Sequence, residues 1–148
     1  MIIKLLISFC LMALCVAIHA SGIMLLLRRI DRSPGLTAPG FLMPTWSLIR
    51  VAVWIILLHL FEISLWAVLY ILGHALPDPQ SAFYFSSVTY TTVGYGDLVL
   101  PENWRLIGGI EALTGILMCG WSTGFFFTVV TRMQQSRLGA PEEQRYSR

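Results

Sequence analysis

The chain has 148 residues, of which 56% are apolar and 12% charged, with a formal net charge of +2. That length allows one domain at most, and so few charges exclude an ordinary soluble globular chain in favour of a membrane protein. The three cysteines, Cys10, Cys15 and Cys119, all lie inside apolar runs and read as buried free thiols, not as a disulfide framework or zinc site.

The first apolar run, Ile2 to Leu27, is broken only by Lys4, His19 and a few small polar residues. It is long enough to cross a hydrocarbon core of about 30 Å as a helix. A cleaved signal has an apolar stretch of about 7–15 residues and a small-residue cleavage site. This run is longer and ends on Arg28 and Arg29, so a retained first helix over 1–28 is expected, although Ala17 to Ser21 is a passable cleavage-like patch. His19 reads as a helix-packing histidine with a hydrogen-bonded ring.

Residues 29–48 form a linker. Pro34, Gly35, Pro39, Gly40 and Pro44 oppose any long helix there. Trp46 suits the membrane surface, and Arg28, Arg29 and Arg32 read as a topology signal. The second spanning run, Ile49 to Gly73, carries His59 and Glu62 near its middle. Three positions apart on a helix, they share a face. A charge at the bilayer centre costs about 3 kcal/mol on insertion scales, so Glu62 faces protein or water, or is protonated. His19, His59 and Glu62 are expected at similar depth and in contact, as a structural polar cluster or a pH-sensing one.

Pro77-Asp78-Pro79 marks a turn. Ser81 to Tyr90 is apolar and aromatic but too short to span a membrane. A short helix followed by extended backbone is a re-entrant loop, which survives at depth only where protein buries it or water lines it. Thr91-Thr92-Val93-Gly94-Tyr95-Gly96-Asp97 follows. Glycine at alternate positions accepts left-handed angles that undo the usual alternation of carbonyls. The carbonyls of Thr92, Val93, Gly94 and Tyr95 can then face one axis and replace the water shell of a monovalent cation.

Thr-Val-Gly-Tyr-Gly-Asp resembles the selectivity filter of the potassium channel superfamily, and Trp54 to Arg132 more weakly resembles its helix–pore loop–helix unit. The resemblance implies an all-α membrane protein with three transmembrane helices, a re-entrant pore helix and a tetrameric pore. It resembles a small bacterial-type channel with an extra N-terminal helix. It places K+ at Thr92, Val93, Gly94 and Tyr95, with Gly96 completing the path and Asp97 at the pore mouth. It implies that Tyr84 and Phe85 pack around Tyr95 and that Thr91 helps to brace the filter. Val88 stands where some bacterial relatives carry a glutamate, so a carboxyl pair with Asp97 is not expected.

The third run, Asn103 to Arg132, opens on an interfacial Trp104. Gly115 falls where the resemblance puts a hinge; close helix packing is the competing reading. Gly120 and Gly124 read as a packing face. Glu111 is expected to bond hydroxyls behind the filter, with Thr89, Tyr90 and Ser87 as candidates. Residues 133–148 read as a short, largely disordered tail. Residues 49–132 thus make the channel domain, and the first helix is expected on the lipid-facing side of the second.

A potassium filter on the outer side puts the linker and C-terminus inside and the N-terminus outside. The inner side then carries Arg28, Arg29, Arg32, Arg50, Arg132, Arg137, Arg145 and Arg148, against Lys4 and Arg105 outside. The positive-inside bias agrees, in a plasma or inner membrane. The function expected is passive potassium conduction by a homotetramer in contact with membrane lipid. No cofactor beyond K+ as the permeant ion and no nucleic-acid partner is expected. A nonselective cation channel and a nonconducting scaffold or accessory subunit are the rival readings. Enzyme activity is not expected, because no nucleophile–base set or metal-ligand spacing stands out.

Overall fold

The computed structural model describes residues 1–31 and 42–138. Four α-helices account for most of them: α1 (Ile2–Asp31), α2 (Leu42–Leu72), α3 (Pro79–Tyr90) and α4 (Arg105–Leu138), with a 3₁₀ turn at Glu102–Trp104 leading into α4. Three segments are long and apolar enough to cross a membrane: Ile2–Ile30, Pro44–Leu72 and Glu102–Gln135. The chain is an all-α membrane protein.

Three boundaries differ from the sequence reading. Helix α1 runs to Asp31, past the expected end at 28. Helix α2 begins at Leu42 instead of 49, because Pro44 occupies the first turn, where a missing N–H costs nothing. Helix α4 continues to Leu138, through residues assigned to a disordered tail. The expectations for 32–41 and 139–148 lie outside the described residues.

Lys4 lies over the Trp104 ring at 4.2 Å, and Arg29 lies over Trp54 at 5.4 Å. The start of α1 therefore sits beside the start of α4, and its far end beside the first half of α2. So α1 runs parallel to α4 and antiparallel to α2. It packs against both, not on the lipid-facing side of α2 alone. The reason is polar: His19 of α1 finds partners on α2 and α4 at once.

Buried side chains form two clusters. One, around Trp66, Tyr70, Tyr90 and Met118, lies behind α3; the other, around Ile23, Val51, Phe125 and Val129, joins α1, α2 and α4 further along. Large apolar side chains such as Ile3, Leu113 and Phe127 point outward, where lipid or another protein chain can cover them.

Candidate functional site

Helix α3 has a well-made start. Asp78 is its N-cap and accepts from the Ser81 N–H at 2.9 Å and the Ser81 hydroxyl at 2.7 Å, with Pro79 in the first turn. The residue expected only as part of a turn is thus a cap. These bonds from Ser81 hold the Asp78 carboxyl below its ordinary range. The cap is therefore present above the usual carboxylate pKa and is lost as pH falls through the lowered value.

At its other end α3 passes into the filter-like loop. The Thr91 hydroxyl donates to the Ser87 carbonyl at 2.7 Å, the Thr92 N–H to Thr89 at 2.9 Å, and the Gly94 N–H to Val88 at 3.0 Å. Left-handed φ recurs at every second residue: +61° at Thr92, +52° at Gly94 and +76° at Gly96. The two glycines take these angles freely. Thr92 does not, and a non-glycine residue there costs about 1–2 kcal/mol. Nothing in a threonine announces this, so the sequence reading missed it. Residues 91–97 are all exposed in the single chain. Among the described residues, no hydrogen bond ends on the carbonyls of Thr92, Val93, Gly94, Tyr95 or Gly96.

Within the chain Tyr84 and Phe85 take different partners. Tyr84 donates to Asp97 Oδ2 at 2.6 Å, and the Leu98 N–H donates to the other oxygen at 3.1 Å. Phe85 turns inward and meets Tyr70 edge-on, with centroids 5.4 Å apart. Tyr95 is 72% exposed. Successive residues of a helix point about 100° apart; Tyr84 meets Asp97 at the end of the loop, while Phe85 shares a cavity with Gly94 and Gly96.

Behind the loop, α3 presents Ala82, Ser86 and Tyr90 as one buried face, at the spacing of four that aligns residues on a helix. Two buried carboxylates grip it. Glu111 of α4 accepts from Ser86 and, at 2.6 Å, from Tyr70 of α2. The candidates Thr89, Tyr90 and Ser87 are therefore replaced by Ser86 and Tyr70. The neighbouring Ser87 points away and bonds the Phe83 carbonyl instead.

Glu62 of α2 grips the other point, accepting from the Tyr90 hydroxyl. His19 Nδ1 lies 2.9 Å from Glu62 Oε1, and His59 Nδ1 lies 3.8 Å from Oε2. The structure thus brings His19, His59 and Glu62 together. It adds Ser122, whose hydroxyl lies 3.0 Å from both His19 Nε2 and His59 Nε2. One ligand atom from each of His19, His59 and Glu62 lies within 4.8 Å of the others. A metal would have to displace hydrogen bonds those atoms already make.

Gly115 explains how α4 comes so close. A Cβ built there would stand 1.9 Å from the Tyr90 carbonyl oxygen. Close packing accounts for this glycine, and α4 runs through it as one continuous helix. At Gly120 and Gly124 nothing in the chain lies within 4 Å of such a Cβ, so that face has no packing partner among the described residues.

Two long helices holding a short capped helix, which feeds an exposed loop of alternating handedness, define a helical membrane protein built around that loop. A protein-family model described as Ion channel matches residues 49–132, more than half of the chain, and the chain belongs to this ion channel family. No curated protein and no solved structure matches it.

Proposed function

We propose that the protein is a potassium-selective channel in which four copies surround one axis, each contributing the carbonyls of Thr92, Val93, Gly94, Tyr95 and Gly96. The observation that carries this reading is the left-handed φ at residues 92, 94 and 96. It turns carbonyls that would otherwise alternate toward a common side. Those oxygens accept no hydrogen bond within the described chain, so they remain available to replace the hydration of a cation. The exposure of the loop in one chain suits burial by three others. Asp97, held by Tyr84, would raise cation concentration at the mouth. The distribution of basic residues supports an outer loop and a cytoplasmic C-terminus.

The test is rubidium uptake into liposomes carrying the purified full chain, with barium block and reversal potentials in mixed potassium and sodium. Uptake blocked by barium and strongly favouring potassium over sodium is expected. Gly94→Ala, which forces a Cβ onto a φ of +52°, abolishes it. Equal permeability would point to a nonselective cation channel. A native chain that passes no ions would point to a nonconducting subunit.

A further inference from the structure

The buried polar groups between the four helices close a ring. Starting at Glu62 Oε1, it passes to His19 Nδ1 at 2.9 Å, from His19 Nε2 to the Ser122 hydroxyl at 3.0 Å, and on to His59 Nε2 at 3.0 Å. From His59 Nδ1 it reaches the Tyr90 hydroxyl at 3.3 Å, which returns to Glu62 Oε2. Each contact needs one hydrogen. Neutral His19, His59, Ser122 and Tyr90 each bring one, and a protonated Glu62 brings another.

With all of them present the donors run one way round. Glu62 donates to His19 Nδ1, His19 Nε2 to Ser122, Ser122 to His59 Nε2, His59 Nδ1 to Tyr90, and Tyr90 to Glu62. Every contact is satisfied and the ring is uncharged. If Glu62 loses its proton to water, one hydrogen is missing. His19 must then donate from Nδ1 to the carboxylate, accept from Ser122 at Nε2, and leave His59 donating from Nε2 to Ser122. His59 Nδ1 and the Tyr90 oxygen are left facing each other with no hydrogen between them, at what is already the longest contact.

We propose that this ring is a proton-binding site that takes up one exchangeable proton and, through Tyr90, couples it to the filter-like loop. Tyr90 ends α3 two residues before Thr92, and its carbonyl abuts Gly115. Glu62 and His19 are fully buried, and the His59 side chain, 16% exposed, is the way in for the proton. Among the described residues, the other ionisable groups within electrostatic reach are the thiols of Cys15 on α1 and Cys119 on α4, with Glu111 beyond Cys15. The ion-pair partners of Glu62 are the two histidines. Acid closes the ring and gives the Tyr90 hydroxyl two holds, from His59 and Glu62; alkali leaves it the second alone. The effect on conduction rests on the channel reading above.

The test has two readouts on the full chain in chelator-treated buffer. Nitrogen NMR of labelled histidines reads the tautomers without any need for flux. In the native chain His19 and His59 should both switch tautomer at one shared midpoint. Glu62→Gln, whose amide can donate to His19 and accept from Tyr90, should hold both in the acid form at every pH. In liposomes, rubidium uptake should fall as pH rises through that same tautomer midpoint, and stay flat in Glu62→Gln. Separate midpoints at the two histidines, or a switch that persists in Glu62→Gln, would overturn the site. A tautomer switch with pH-independent uptake would overturn the coupling. A tautomer switch in a chain that passes no ions would uphold the site and sink the channel reading instead.

Discussion

Glu111 and Glu62 grip the same face of α3 one turn apart, the first through Ser86 and the second through Tyr90. Around Glu111 the partners are hydroxyls, from Ser86 and Tyr70. Here the Ser86 hydroxyl has two acceptors in reach, Glu111 and the Ile63 carbonyl at 3.0 Å, so a change at this carboxyl ends on Ser86. Around Glu62 the partners include two imidazoles that can reverse their donor and acceptor ends. That brace has two arrangements differing by one proton. Two carboxylates of equal burial thus differ in what they can do because of the second residue in each contact, not because of the carboxylate itself.

The largest expected effect pushes α4, and with it the Glu111 brace, off α3. Gly115→Ala places a methyl where the Tyr90 carbonyl already stands, so α4 must move off α3. The expected cost is about 3 kcal/mol or more, read as a lower unfolding temperature in detergent and loss of a monodisperse species. Unaltered unfolding would mean that α4 does not approach Tyr90 as described.

Tyr70→Phe is next. It leaves the buried Glu111 with Ser86 alone, at a cost of about 1–3 kcal/mol. The loss is read as a lower unfolding temperature in detergent. An unchanged unfolding temperature would mean that Tyr70 does not hold Glu111 as described. Glu62→Gln should do the reverse, with little change in unfolding and loss of the pH response described above.

Smallest is Tyr84→Phe, which deletes the exposed bond to Asp97. No change in unfolding temperature is expected. The readout is barium block of rubidium uptake, which should weaken as Asp97 loses one of its two holds. Identical block would remove Tyr84 from any role at the mouth.

The parts legible in the chain were those with local causes. Three apolar runs, a segment too short to span, and glycines two apart each carry their meaning in neighbouring residues. His59 and Glu62 could be paired because three helical positions put them on one face. The partners of Glu111 went astray by one position, since a single residue along α3 changes direction by about 100°. Ser122 and Tyr90 were missed as members of the ring, because neither stands near His19 or Glu62 in the chain. Only the packing of α1 into the groove between α2 and α4 brings them together.

The order of residues alone determined that this chain lives in a membrane, crosses it as helices and carries a loop of left-handed turns, because hydrophobicity and glycine geometry act over a few positions. Only the tertiary structure decided which hydroxyl meets which carboxylate and that two histidines share one serine. Those contacts depend on the rotation and depth of separate helices, and no short stretch of sequence encodes either.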